Sequence, residues 1–261
     1  VAVAVIGALA TMPAMAATQD ELIQDNATDK IIIIKDKTFE GTKKLYEAVP
    51  DSTLSNFELN VNNVTLNGKN PTLAGLYQNG GILTIKKYDS VFNHVESNTI
   101  HGIYAKNNST TTFNSTTRLE FLNTNATKAL YGITSITNNM TFNNEVSIYS
   151  TEINAGSFTG FYANDSHSEF MNGVNINTES ISTSLFSALS LNNSSSTFIT
   201  GNSSISVQDF KNSDLYLVYI SGSTLNIHSP DNNFSITVQG SKTYSSKQTY
   251  SSKQVFGAVG E

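Results

Sequence analysis

The sequence predicts an all-β chain, a parallel β-helix with coils of about 28 residues and three short strands per coil. Three observations carry this expectation. Large apolar residues recur at Ile85, Phe113, Phe142, Phe170, Phe198 and Ile227, in steps of 28, 29, 28, 28 and 29. A second series runs about ten residues ahead, at Leu76, Ile103, Ile133, Phe161, Leu189 and Val218, in steps of 27, 30, 28, 28 and 29. Alternating pairs make a third cluster: Leu119/Phe121, Val146/Ile148, Val174/Ile176, Ile205/Val207 and Ile236/Val238. Period-two alternation marks a strand with one buried face. A fixed period of this length is the signature of a solenoid.

Composition agrees. Only 14% of residues are charged, Trp is absent, Pro occurs four times, and Asn, Ser and Thr fill the intervals between apolar runs. The intervals are too short for a helix, so the three runs are joined by turns. Equivalent strands would then pair in register about 4.8 Å apart, with equivalent side chains stacked into ladders. In this reading Phe113 and Ile103 point into the coil, while Asn and Thr occupy turns and the outer face. Asn138 is one such turn residue. Gly75, Gly102, Gly132 and Gly160 precede the second-series anchors, where a small residue permits a bend or a close approach. Ala188 and Leu217 take that place later.

Taken in order, residues 1–16 form an apolar run ending in Ala14-Met15-Ala16 before a polar, acidic stretch. This reads as the apolar core and cleavage site of a secretory signal whose start is missing. Residues 17–50, more charged and containing "KIIIIKDKTF", are expected to form an N-terminal cap and leading strand, covering ladders that an open end would expose. Residues 51–240 carry the repeats. Phe57 extends the first series backwards, with Val64 and Leu66 as an alternating pair, and Val255 extends it forwards. Residues 241–261 read as a low-complexity loop, "TYSSKQTYSSKQ", and the start of a further coil in a truncated chain.

The net charge of −6 and the single arginine, Arg118, give no basic footprint for nucleic acid. An exported chain without cysteine gains nothing from disulfides and depends on burial and backbone hydrogen bonds. Carbohydrate-cleaving chemistry would need clustered carboxylates or a basic residue near acids. The period brings only Glu120 and Glu145, or Glu152 and Glu179, into range as ladder neighbours, and solvated turn positions explain them. His94, His101, His167 and His228 fall at different phases of the repeat, which does not build a metal site. Gly201-Asn202-Ser203-Ser204 reads as a turn. No catalytic, cofactor or metal residue is assigned, no cofactor is expected, and the binding residues are left open.

The "AMA" signal end, the absence of cysteine, and coils with "GIYA"-type and "TTTF"-type phrases resemble the passenger domains of Gram-negative autotransporters, over essentially residues 17–261. The resemblance implies a right-handed β-helix exported through the inner membrane and displayed at the cell surface, anchored by a C-terminal outer-membrane β-barrel beyond this sequence. It also implies an adhesin, an autoaggregation factor or a stalk. The expected function is therefore non-enzymatic: multivalent contact of a polar face with host glycans, extracellular matrix protein or another copy on a second cell. The alternative is a secreted polysaccharide-active β-helix of the pectate-lyase kind.

Overall fold

The computed structural model describes residues 21–25, 28–210, 214–228 and 234–239. The expected signal at 1–16 and the loop and further coil at 241–261, Val255 included, lie outside the described residues. The described chain is all strand and turn, and it winds into about seven stacked coils spaced about 29 residues apart.

The first coil is built from β2 (Asp29–Glu40), β3 (Lys43–Glu47) and β4 (Ser52–Leu54), and the second from β5 (Asn56–Asn67), β6 (Thr72–Asn79) and β7 (Ile82–Ile85). The third is one long strand, β8 (Tyr88–Phe113), bent at its corners. Next come β9 (Thr117–Leu122) with β10 (Asn125–Phe142), then β11 (Val146–Asn164) with β12 (His167–Phe170), then β13 (Val174–Asn192) with β14 (Ser196–Thr200). The seventh coil is β15 (Ser203–Gln208), β16 (Asp214–Ser221) and β17 (Thr224–His228), and β18 (Phe234–Gln239) follows on β15. All coil-to-coil pairings are parallel. The exception is β1 (Glu21–Asp25), which pairs antiparallel with β2 and covers the edge of the first coil. The coil register thus begins at Asp29, so two of the three strands of the first coil, β2 and β3, lie inside the segment read from sequence as a cap.

Each coil has three runs, which in the third coil are Tyr88–Asn93, Thr99–Lys106 and Ser109–Phe113. The corner after the first run is made by one left-handed residue per coil, in register through the stack: Asp36, Asn63, His94, Asn123, Glu152, Ser180 and Asp209, with φ between 48° and 55°. Asn and Asp adopt this conformation at little cost. Side-chain amides also bridge the corners by donating to the preceding coil: Asn63 Nδ2 to Asp36 Oδ1 at 2.6 Å, and Asn93 Nδ2 to Asn62 Oδ1 at 3.1 Å.

The second corner varies, and that variation, together with a one-residue register shift between Ala126 and Ala129 ahead of the second run, sets the uneven steps of the repeat. Asn107 and Asn108 are both left-handed, Thr137 and Asp165 turn the next two coils singly, and Asn193 and Ser194 are a pair again. The extra residue at 193–194 delays the third run, so Phe170 pairs with Ile199 and Glu169 with Phe198. Phe198 is consequently not a core residue, contrary to the sequence reading: it is 40% exposed, and Ile199 takes its place fully buried. A one-residue slip in a strand turns every side chain to the other face.

Two further alignments differ. Ile85 pairs with Leu54, and Phe57 instead heads the first-run ladder by stacking on Tyr88 at 5.2 Å. Val64 lies past the first corner opposite Val95, so Leu59 and Val61, not Val64 and Leu66, belong with Leu119 and Phe121. In the alternating cluster Leu119 faces Ile148 and Ile205 faces Ile176. That shift of two residues preserves the buried face. The second series holds at every step from Leu76 to Val218.

The core is one continuous cluster along the axis. Its largest stack joins Phe113, Phe142 and Phe170, with ring centroids 4.8 and 4.9 Å apart and planes within 11°. Contrary to the expectation that Thr and Ser stay outside, Thr117, Ser150, Ser168 and Thr197 point inward, fully buried, with hydroxyls that have no hydrogen-bond partner. Register fixes their direction, and a small polar side chain beside stacked rings is the cost of keeping it.

The glycine positions behave as the sequence suggests. A Cβ on Gly102 would stand 2.5 Å from Leu119 Cδ2, 2.7 Å from the Gly132 carbonyl oxygen and 3.0 Å from Phe121. Gly102→Val should therefore destabilise the fold by about 1–3 kcal/mol through overpacking, read as a lower urea midpoint. An unchanged midpoint would mean that the coils separate freely there.

Candidate functional site

Strand alternation leaves three outer faces, and the structure sorts the acids among them. On the first-run face Glu58, Asp89 and Arg118 are register partners in successive coils, and Glu120 sits two residues beyond Arg118. Arg118 donates to Glu120 through Nε at 3.0 Å and also through Nη2. Arg118 is thus not isolated, as the sequence alone suggested. Lys87 Nζ donates to Glu58 at 2.8 Å, and this bond, ahead of the amide of Asn56, holds the Glu58 carboxyl below its ordinary value. Asp89 moves the opposite way: burial raises it, and the Arg118 charge only partly offsets that. A groove of about 190 Å³ runs beside these groups, lined by Ile31, Ile33, Glu58, Asn60, Asp89 and Val91.

The two acid pairs considered from sequence are not assembled as such. Glu120 pairs with Val91 and Tyr149, whereas Glu145 lies in the turn before β11 and accepts from Asn175 Nδ2 at 2.7 Å. Glu152 is a corner residue, and Glu179 is the register partner of Thr151, where it accepts from the Tyr149 hydroxyl at 3.3 Å. Gly201 is a left-handed turn residue, as read, with φ of 88°. The four histidines separate: His94 turns a corner, His167 lies 3.2 Å from Glu169, and His228 ends β17. Among the described residues no group of three His, Asp or Glu is arranged to hold a metal ion.

The feature that the repeat analysis missed is the outer face of the second run. Tyr77, Tyr104, Thr134, Tyr162, Ser190 and Tyr219 are register partners down one column of it. A second column holds His101, Tyr131, Thr159, Ser187 and Tyr216. The tyrosines of the first column are legible as outward because each is next to a second-series anchor, as in Ile103-Tyr104 and Phe161-Tyr162, whereas Tyr131 and Tyr216 stand two residues before theirs.

The rings of this face touch one another. His101 lies between Tyr104 and Tyr131, at 4.5 and 4.8 Å with planes within 15°. Tyr77 meets Tyr104 edge-on at 5.5 Å, and Tyr131 meets Tyr162 at 5.7 Å. His101 is buried by this sandwich, its Nδ1 is 2.8 Å from Thr134 Oγ1, and burial lowers its pKa to about 4. The imidazole is neutral at physiological pH. Burial likewise raises the Tyr131 and Tyr162 phenols.

Two cations flank the aromatic column. Lys44 Nζ sits 3.9 Å from the Tyr77 ring centroid and 3.0 Å from Glu47. Lys106 Nζ lies 5.5 and 5.6 Å from the centroids of Tyr77 and Tyr104, and hydrogen bonding to Tyr77 raises its pKa. The face combines flat apolar rings, hydroxyls and ammonium groups on a rigid sheet. Such a surface is suited to recognising an extended polar chain, and it supplies no activated nucleophile of its own.

Comparison of the chain with protein-family models, curated proteins and solved structures finds no match in any of the three.

Proposed function

We propose that this chain is the surface-displayed passenger of a Gram-negative autotransporter, acting without catalysis as a multivalent binding solenoid. The observation that carries the reading is the second-run face, where aromatic and hydroxyl side chains repeat in each coil from the second to the seventh on a continuous parallel sheet. Repetition of weak, equivalent contacts gives avidity without any single tight site. The rigid ladder also lowers the ordering cost of binding. Host glycan, matrix protein and a second copy of the chain are the partner classes that fit such a face.

The test is attachment of beads coated with the purified chain to epithelial cells, against uncoated beads. Coated beads are expected to attach, and Glu120→Gln together with Glu145→Gln should leave attachment unchanged, because neither carboxylate lies on the second-run face. Loss of attachment in that double variant would move the function to the charged face.

The cluster of Asp89, Arg118 and Glu120 beside the groove supports a second reading, a polysaccharide-active β-helix. Release of shortened or unsaturated oligosaccharides from polygalacturonate, abolished by Glu120→Gln, would favour it over the binding role.

A further inference from the structure

Within the binding role proposed above, on which this inference rests, we propose that the second-run face binds an acidic polysaccharide, a chain of uronic or sulfated hexopyranoses lying along the solenoid axis. Over coils two to five the face presents one tyrosine per coil: Tyr77, Tyr104, Tyr131 and Tyr162. Coils rise by about 4.8 Å each, close to the length of one pyranose residue in an extended glycan. Each ring can therefore meet one sugar. The C–H face of a pyranose is apolar and slightly positive, and it packs on the negative face of an aromatic ring as a cation does.

Charge selects the acidic glycan. At the N-terminal end of the column the ammonium of Lys106 rests over Tyr77 and Tyr104, and Lys44 lies over the same Tyr77 ring. Lys44 is shared with Glu47. Lys106 has phenols as its neighbours and is placed to meet a carboxylate or sulfate on a sugar stacked at Tyr77 or Tyr104. At the other end the Asp165 charge adds to burial in raising the Tyr162 phenol, and a carboxylate there suits sugar hydroxyls better than anions. Nucleic acid is a poorer occupant, since the single arginine, the side chain that grips phosphate bidentately, lies on another face.

The experiment is titration calorimetry of the purified chain with hyaluronan and chondroitin sulfate octasaccharides and with neutral cellohexaose, run beside the bead-attachment assay. Binding of an acidic octasaccharide is expected, with cellohexaose weaker. Lys106→Gln should weaken it about fivefold, the upper scale for one exposed charge contact, and should flatten its salt dependence. Tyr162→Ser, which copies the Ser190 found in the same column, should weaken it as well. Lys86→Gln and Tyr149→Asn, on other parts of the coil, should not, and unchanged melting temperatures would exclude misfolding of any variant. Equal losses in Lys86→Gln and Lys106→Gln, or equal affinity for cellohexaose, would overturn the proposal. Beads that attach to cells while the chain ignores both acidic octasaccharides would overturn it and leave the binding role standing, with a protein partner. Failure of both assays would overturn both.

Discussion

Phe142→Ala is expected to lower the stability of the solenoid by about 3–5 kcal/mol. The side chain is fully buried and is the middle of three stacked rings, between Phe113 and Phe170. Truncation would remove its transfer free energy and two offset aromatic contacts at once. It would also leave a cavity that cannot collapse, because the strands around it are held in register by the coils on both sides. Phe198→Ala makes the comparison sharp. Sequence periodicity puts the two phenylalanines at equivalent positions, yet Phe198 is 40% exposed and Ile199 is buried. Phe198→Ala should therefore cost within about 0.5 kcal/mol of an ordinary surface change, and Ile199→Ala about 2–5 kcal/mol. Denaturant midpoints of the three variants decide the register. Comparable losses in Phe142→Ala and Phe198→Ala would restore the uniform 28-residue spacing and refute the two-residue corner at Asn193 and Ser194.

That comparison also shows what the sequence carries. Ladder residues on either side of the Gly bend are legible, because the second run has the same length in coil after coil and so keeps Leu76 to Val218 in phase. Past the second corner the ladder from Ile85 through Phe113 and Phe142 to Phe170 is legible too, but Phe198 is not, since Asn, Asp, Ser and Thr all turn that corner, with one left-handed residue or two, and nothing in their identity fixes the number. Asn138 illustrates the same limit. Read as an ordinary turn residue, it is buried, accepts from Ser109 Oγ at 2.8 Å and donates to Ser135 Oγ at 3.3 Å. A buried amide with such partners is costly to remove. The inward hydroxyls of Ser150 and Thr197 escape a composition argument too, because their direction comes from register.

The candidate face was half visible. Tyrosines beside apolar anchors could be placed outward by alternation, but their contact depends on two columns lying side by side. The Tyr104–His101–Tyr131 sandwich joins residues from different columns and coils. Likewise, Arg118 meets Asp89 across coils, and a linear reading could only report it as the sole arginine.

His101 gives the second large effect, a loss of stability in mild acid of about 3 kcal/mol. Its folded pKa is lowered from 6.5 to about 4, and the cause is burial between two tyrosine rings. The unfolded chain takes up a proton on this imidazole below pH 6.5 and the folded chain does not until about pH 4. Stability from His101 is therefore fully present above pH 6.5 and declines as pH falls, with the slope ending near pH 4. Two and a half pKa units correspond to about 3 kcal/mol at 1.36 kcal/mol per unit. His101→Phe keeps a ring in the sandwich and removes the titration, though it leaves Thr134 Oγ1 without its partner at a cost of about 1 kcal/mol. Stability of the two proteins measured from pH 7 to pH 4 should thus converge or cross, His101→Phe being the weaker at neutral pH and the stronger in acid. Parallel curves would show that the imidazole titrates freely, and an NMR titration with His101 protonating near pH 6.5 would show it directly. Since His101 spaces Tyr104 from Tyr131, its protonation in the folded chain would also loosen the aromatic column, so binding across that face should weaken only as pH falls to about 4.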